Sequence, residues 1–314
     1  MTDASCPGIG TEKAGTADGC ANCPSKSFCQ SNNQEAVAAT RKEDLAQVKK
    51  RLSGVRHKLL ILSGKGGVGK STVATQLAHY LSQKDYQVGL LDIDICGPSV
   101  PRMTGCQGES IHQSSSGWSP VYVNDHLSIM SVGLLVEDED TAIIWRGPKK
   151  NGLIKQFLSD VDWGDLDFLL VDTPPGTSDE HLSAVQFFQA SDRDGAIVVT
   201  TPQEVSLLDV RKELDFCRKV KIPILGLIEN MSGFVCPQCK CSSQLFPPTT
   251  GGAQTMASEM EIPLLGCLPI DTEIGKACDE GRAFVGRTED SPGLQALHSI
   301  GTKIIELCDA MSQK

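Results

Sequence analysis

An apolar run, Leu59-Leu60-Ile61-Leu62-Ser63, passes without interruption into Gly64-Lys65-Gly66-Gly67-Val68-Gly69-Lys70-Ser71-Thr72, and a helix-forming stretch follows. This is the G-x-x-x-x-G-K-[ST] pattern in the strand–loop–helix setting that gives it meaning. Glycines let successive backbone N–H groups converge on phosphate oxygens, and the following helix directs its positive end at the same anion. Lys70 is expected to reach the β- and γ-phosphates, and the Ser71 hydroxyl to ligate Mg²⁺.

The surrounding pattern fits that element. Short apolar runs with strand character recur at 59–62, 88–91, 166–171, 196–200, 224–228 and 264–268, with helix-length stretches at 71–83, 179–189 and 202–219 between several of them. Continuous apolar strands alternating with helices predict an α/β fold with a mostly parallel sheet sandwiched by helices. Residues 107–139 are less regular, with short strands expected at 121–123 and 127–132. In the tail, Leu294, Leu297, Ile300, Ile304, Leu307 and Met311 lie on one helical stripe. Residues 34–52 are good helix formers with Leu45, Val48 and Leu52 three and four apart, predicting one helix resting on the main domain. The expected organisation is a cysteine-rich extension over 1–32, a helical linker over 33–56 and a nucleotide-binding domain over 57–314, with a cysteine loop inserted at 231–250.

Two further segments supply carboxylates. The run Leu166-Asp167-Phe168-Leu169-Leu170-Val171-Asp172 is an apolar strand ending in an acid, followed by Thr173-Pro174-Pro175-Gly176. Asp172 is placed to hold Mg²⁺ through water, and Gly176 to bring its backbone N–H toward the γ-phosphate. In Leu90-Leu91-Asp92-Ile93-Asp94, two carboxylates stand at the carboxyl end of a strand, where ligands of open α/β sheets bind. Asp94 is the choice for orienting the attacking water, and Asp92 for helping to hold the metal and the loop.

Charge narrows the partners. The 314 residues carry 39 acidic and 29 basic side chains, a net charge of −10. That surplus argues against a phosphate-tracking nucleic-acid surface and against anionic membrane. No run approaches the ~20 apolar residues of a membrane span, and the first residues lack the basic and apolar regions of a secretory signal. A cytoplasmic protein is expected. The acidic run Glu137-Asp138-Glu139-Asp140 reads as a solvated loop, and Arg146, Lys149 and Lys150 as a helix start or a phosphate contact.

The cysteines are the anomaly: 13, an odd number. In a reducing compartment these are metal or cluster ligands plus a few buried thiols, not a disulfide frame. Cys6, Cys20, Cys23 and Cys29 lie in a polar segment unable to build a core, and their count matches one tetrathiolate site. Their spacing leaves zinc and iron–sulfur both open. Cys236-Pro237-Gln238-Cys239 supplies two thiolates from a single turn, with Cys241 beyond. A tetrahedral site or cubane needs four ligands, so a symmetric dimer could hold one bridging cluster on two such pairs. A redox dithiol and a zinc knuckle using Cys241 are the alternatives. Cys96, Cys106, Cys217, Cys267, Cys278 and Cys308 stand singly and are expected to be buried thiols.

The phosphate loop closely resembles the deviant Walker A of MinD/ParA-like and nitrogenase-iron-protein-like ATPases. That resemblance implies a nucleotide sandwich dimer in which Lys65 reaches the nucleotide of the facing subunit. It also implies that Asn230, in Glu229-Asn230-Met231-Ser232, contacts adenine, with Pro269-Ile270-Asp271 as a second purine-loop segment. With both cysteine sets, Asp172-Thr173-Pro174-Pro175-Gly176 and Phe246-Pro247-Pro248-Thr249-Thr250-Gly251-Gly252, the chain is similar over nearly its whole length to the nucleotide-binding-protein-1 type of the Mrp branch. The resemblance implies an ATP- and Mg²⁺-dependent scaffold that assembles 4Fe–4S clusters for cytosolic and nuclear apoproteins. Cys6, Cys20, Cys23 and Cys29 would hold one cluster within a chain, and Cys236 and Cys239 a labile one bridging two chains. The partners implied are a second copy, a shorter related ATPase in a heterotetramer, other assembly factors and apo iron–sulfur proteins. A positioning ATPase of the MinD/ParA kind is the alternative, but the tail sets only Lys303 and Lys314 against Glu306 and Asp309, poor support for a membrane-surface helix. A zinc-binding P-loop module is the third reading.

Overall fold

The computed structural model describes residues 34–95, 97–136, 147–176, 181, 184–185, 194–236, 238–286 and 291–312. Cys6, Cys20, Cys23, Cys29, Cys96, the acidic run 137–140, Arg146 and most of the helix expected at 179–189 lie outside them; within that last stretch, positions 181, 184 and 185 are helical. The chain divides into two units, 1–50 and 51–314.

In chain order the elements are α1 (Gln34–Arg51), β1 (Val55–Leu62), α2 (Lys70–Ser82), β2 (Val88–Asp92), α3 (Val100–Thr104), β3 (His112–Ser114), β4 (Gly117–Ser119), β5 (Val121–Asn124), β6 (Leu127–Ser131), α4 (Gly147–Ser159), β7 (Leu166–Asp172), β8 (Asp194–Thr200), α5 (Glu204–Lys219), β9 (Ile224–Val235), β10 (Ser242–Ser243), α6 (Gly252–Glu259), β11 (Leu264–Ile270), α7 (Thr272–Asp279) and α8 (Pro292–Ser312). One sheet runs β10-β9-β8-β1-β7-β2-β6-β5, with β11 also pairing β9, while β3 and β4 form a separate hairpin. Its pairs are parallel except β5 with β6 and β9 with β10. The expected α/β architecture, a mostly parallel sheet flanked by helices, is the one observed.

The order of strands, more than their number, makes the site. The chain leaves β1 through α2 and re-enters the sheet at β2, leaving a slot that β7 fills. Ile61 therefore pairs with Asp172, and Asp172 with Asp92, so the phosphate loop and two carboxylates leave one edge of the sheet side by side. The central strands are buried at nearly every position, β2 at all five, with Arg56 of β1 and Asp167 of β7 as the exceptions, as strands covered on both faces must be. In the tail helix Leu294, Leu297, Ile300, Ile304 and Cys308 are buried, while Leu307 and Met311 reach the core only in part. Among the described residues no helix is long and apolar enough to cross a membrane.

Two expectations need correction. Cys106, Cys217, Cys278 and Cys308 are buried as expected, but Cys267 is exposed. It lies on β11, which among the described residues pairs only with β9, at the edge of the sheet. The α8 residue Ile300 closes over Gly266, where an added Cβ would stand 2.6 Å from Ile300 Cγ1, and successive residues of a strand face opposite ways. The strand expected to stop at 228 also continues to Val235. Met231 takes φ +58°, and pairing with β11 slips between Leu268 and Ile270, so a bulge lets β9 resume and run into the cysteine loop. The cysteine insertion is thus an extension of a sheet strand. The hairpin β3–β4 and the helices α3, α6 and α7 add to the expected elements; each is too short to leave a periodic apolar signal.

Candidate functional site

The phosphate loop is shaped by what presses on it from behind. An added Cβ on Gly64 would stand 2.4 Å from the Asp209 carbonyl carbon in α5, so backbone meets backbone there. Gly69 caps α2 in the left-handed region at φ +82°, which disfavours any side chain. The loop borders a cleft of about 210 Å³ that includes Lys65, Lys70, Ser71, Thr72, Asp94, Ser99, Met103 and Pro175. We expect Gly64→Ala to destabilise the protein by about 1–3 kcal/mol, as overpacking does; urea unfolding of the variant beside wild type measures it.

Two loop-edge groups converge on Asp172, which is fully buried. Lys70 Nζ donates to Asp172 Oδ1, Ser71 Oγ donates to Oδ2 at 2.6 Å, and Lys70 Nζ lies 3.3 Å from Ser71 Oγ. Asp92, also fully buried, accepts from the Asp94 N–H at 3.0 Å and from Ser131 Oγ at 3.0 Å. Burial, and then the Asp172 charge, push the Asp92 carboxyl up to about 8 against the pull of Lys70. Its ordinary value is 3.8, so the folded protein binds a proton there that the unfolded chain gives up. That contribution to stability is present below pH ~4 and is lost as the pH rises through ~8. Asp92→Asn is expected to flatten this decline, read from urea midpoints at pH 5, 7 and 8.5.

The other expected site residues fall as follows. Lys65, Gly66 and Gly67 are exposed, Val68 is buried, and Asp94 is half-buried on the cleft wall. Lys65 adds to the hydrogen bond from Lys212 in holding the Asp209 carboxyl below its usual range. The Gly176 N–H, expected to face a γ-phosphate, instead donates to the Ser63 carbonyl at 2.8 Å, tying the loop after β7 to the root of the phosphate loop. Asn230 is buried behind that loop, its Nδ2 donating to the Val68 carbonyl at 2.9 Å. Ile270 and Asp271, of the other expected purine segment, line a second cleft of about 170 Å³ with Phe234, Val235, Cys236, Lys240, Thr272, Glu273, Ser291 and Pro292. Ser131 has no signature in the sequence, because only the pairing of β2 with β6 sets it opposite Asp92.

The Cys-x-x-Cys segment sits at a hairpin tip. β10 folds back on the end of β9, pairing Ser242 with Val235 and Ser243 with Phe234. The Cys236 N–H donates to the Cys241 carbonyl at 3.0 Å, and the Lys240 N–H to the Cys236 carbonyl at 2.9 Å. Cys236 is half-buried, Cys239 and Cys241 exposed. The Cys239 thiol is drawn below its ordinary value by the Cys241 backbone, then by the Cys236 and Cys241 side chains. Lower pKa favours the thiolate, the form that binds metal. Among the described residues no three His, Cys, Asp or Glu side chains converge as a metal site within one chain.

A strand–loop–helix phosphate cradle, with Lys70 and Ser71 gathered on the acid that ends β7, defines a P-loop NTPase of the MinD/ParA-like ATPase class. More narrowly, the chain belongs to the ParA family of NUBPL iron-transfer P-loop NTPases, whose sequence profile matches residues 54–305. A solved relative is the nucleotide-binding protein of Archaeoglobus fulgidus in complex with ADP, in which cobalt was found. It is 34% identical, over 78% of this chain and 94% of its own, with a TM-score of 0.68. The cell division ATPase MinD of Pyrococcus furiosus is 23% identical over 80% of this chain and 99% of its own, TM-score 0.56. The MinD of Pyrococcus horikoshii, complexed with Mg-ADP, is 23% identical over 81% of this chain and 98% of its own, also at 0.56. The two MinD proteins share the fold.

Proposed function

We propose that this chain is an ATP-hydrolysing scaffold that assembles 4Fe–4S clusters and passes them to apoproteins in the cytoplasm. One observation carries the reading. A single strand, β9, bears Asn230 on the back of the phosphate loop and ends at Val235, immediately before Cys236 at the root of the thiol hairpin. In this reading, movement of the loop against its nucleotide reaches the sulfur atoms along the few residues of β9 that separate them.

In this reading Gly64, Gly66, Gly67, Val68, Gly69 and Thr72 cradle the phosphates, Lys70 neutralises the β/γ oxygens, and Ser71, Asp172 and Asp92 hold Mg²⁺ directly or through water. Asp94 orients the attacking water, Lys65 reaches the nucleotide of a second copy, and Asn230 sets the purine side of the loop. Cys236 and Cys239 offer two soft donors on an exposed tip, and two copies complete the four that a cluster requires. The cluster there is cargo. Cys6, Cys20, Cys23 and Cys29 are assigned to a second, resident cluster. The working assembly is a homodimer or a heterotetramer with a shorter related ATPase.

Anaerobic reconstitution with iron and sulfide, followed by metal and acid-labile sulfide analysis and Mössbauer spectroscopy, tests this. The whole protein is expected to carry more cluster than a truncation lacking residues 1–32, and both are expected to carry sulfide. Strictly monomeric preparations devoid of sulfide would sink the proposal. A second reading is a mononuclear metal on the exposed thiols of the hairpin, and metal without sulfide is its signature.

A further inference from the structure

Behind the nucleotide site, and unused by it, lies a buried ionisable pair. His181, from the segment after β7, and Glu213, from α5, are almost wholly buried, with His181 Nε2 4.0 Å from Glu213 Oε1. Neither carboxylate oxygen has a hydrogen-bond partner among the described residues. A buried acid without such a bond is costly, so its retention there calls for a reason.

The local bonding fixes the imidazole. Thr173, the residue after Asp172, spends its hydroxyl hydrogen on the Ile61 carbonyl at 2.8 Å. Its oxygen also lies 3.2 Å from His181 Nε2 and can only accept there. Nε2 therefore carries a hydrogen, donated to Thr173 Oγ1, with the Glu213 carboxylate at ion-pair distance beyond it. The Phe216 ring stands edge-on to the imidazole at 6.1 Å. The other titratable group beside Glu213 among the described residues is Cys217, whose thiol burial holds up at about 12. Burial raises the Glu213 carboxyl itself to about 7.

Helix α5 joins this pair to the phosphate loop. Asp209, whose backbone abuts Gly64, lies one turn before Glu213 and so on the same helix face. We propose that His181 and Glu213 are positioning residues forming a proton-dependent latch, which fastens the loop after Asp172 to the helix that backs the phosphate loop. With one proton shared by the pair, Nε2–H donates to Thr173 while the imidazolium and the carboxylate attract each other across 4.0 Å, and the loop is held to the helix. When that proton leaves, the bond to Thr173 remains but the buried carboxylate charge is left uncompensated, and the latch slackens. No other group is consumed: a proton passes to solvent and returns. The proposal rests on nucleotide hydrolysis by this chain.

The test uses the full-length protein. Wild-type kcat for ATP is expected to fall about threefold or more between pH 6.5 and 8.5. In Glu213→Gln this dependence is lost, while KM for ATP stays within about twofold, since neither residue lines the phosphate cleft. His181→Gln, which keeps an N–H donor for Thr173, is expected to retain kcat near neutrality with a flat profile. His181→Phe is expected to lose kcat as well. Long-range ¹H–¹⁵N spectra of wild type give a readout independent of turnover: an Nε2–H tautomer for His181, titrating at a pH that Glu213→Gln shifts. An Nδ1–H tautomer, a His181 titration unmoved by Glu213→Gln, or a variant keeping the wild-type pH profile would overturn the latch. Absence of hydrolysis in all forms, with the tautomer and linked titration intact, would instead remove the ATPase reading and leave the pair.

Discussion

Lys70→Ala is expected to lower ATP turnover by about 100-fold or more and to destabilise the fold in a pH-dependent way. The ammonium is 6% exposed and Asp172 not at all, and the two are in direct contact. Deleting the lysine leaves Asp172 uncompensated, paired in register with Asp92, a carboxyl already pushed up to about 8. Breaking a buried pair by removing one partner costs about 3–5 kcal/mol. That loss is expected at pH 8 and is expected to shrink toward pH 5, where the Asp92 carboxyl is protonated and no longer repels Asp172. Lys70→Arg separates the two effects. It restores a positive charge and most of the stability, but a planar fork cannot replace a point charge in a cradle of backbone N–H groups, so turnover stays low. Urea midpoints at the two pH values and a phosphate-release assay provide both readings. Lys70→Ala turning over within tenfold of wild type would contradict the assignment.

The contact between Lys70 and Asp172 is partly legible in the amino-acid order alone. The phosphate loop and the acid-terminated strand are each local patterns, and α/β alternation places both at the carboxyl ends of strands. Adjacency is what a linear pattern lacks. β7 begins 104 residues after β1 ends yet pairs with it, and the Asp172–Asp92–Ser131 row follows from register alone. The same limit explains the misplaced details. A glycine after an acidic strand suits a phosphate contact, the role expected of Gly176; its bond to Ser63 depends on where the next loop lies. Cys267 reads as core because it stands between the apolar Leu265 and Leu268, which are indeed buried; that β11 is an edge strand is a property of the sheet. The His181–Glu213 pair leaves no signal at all, being two isolated polar residues in helical segments whose meeting is tertiary.

Cys236→Ser with Cys239→Ser is expected to remove the bridging cluster while leaving the fold and nucleotide binding intact. Serine keeps nearly the volume of cysteine but offers a hard oxygen where iron–sulfide chemistry needs a thiolate. The hairpin does not need the sulfur atoms: the Cys236 N–H to Cys241 carbonyl bond and the pairing of Ser242 and Ser243 with β9 are backbone interactions. Iron and sulfide per chain should fall by about one third, one of three four-iron clusters per dimer being lost, and cluster transfer to an apoprotein should cease. Affinity for ADP should remain within about twofold, because Cys236 and Cys239 are not among the residues lining the phosphate cleft. Cys241→Ala is the companion variant. Cys241 lends its side chain to the Cys239 sulfur, so its loss should raise the Cys239 pKa and slow cluster loading at neutral pH without changing the final iron content. Unchanged iron content in the double variant would mean that these thiols are not where the cluster sits. Loss of ADP binding alongside the iron would point the other way, to a hairpin so tightly joined to Asn230 through β9 that neither site survives without the other.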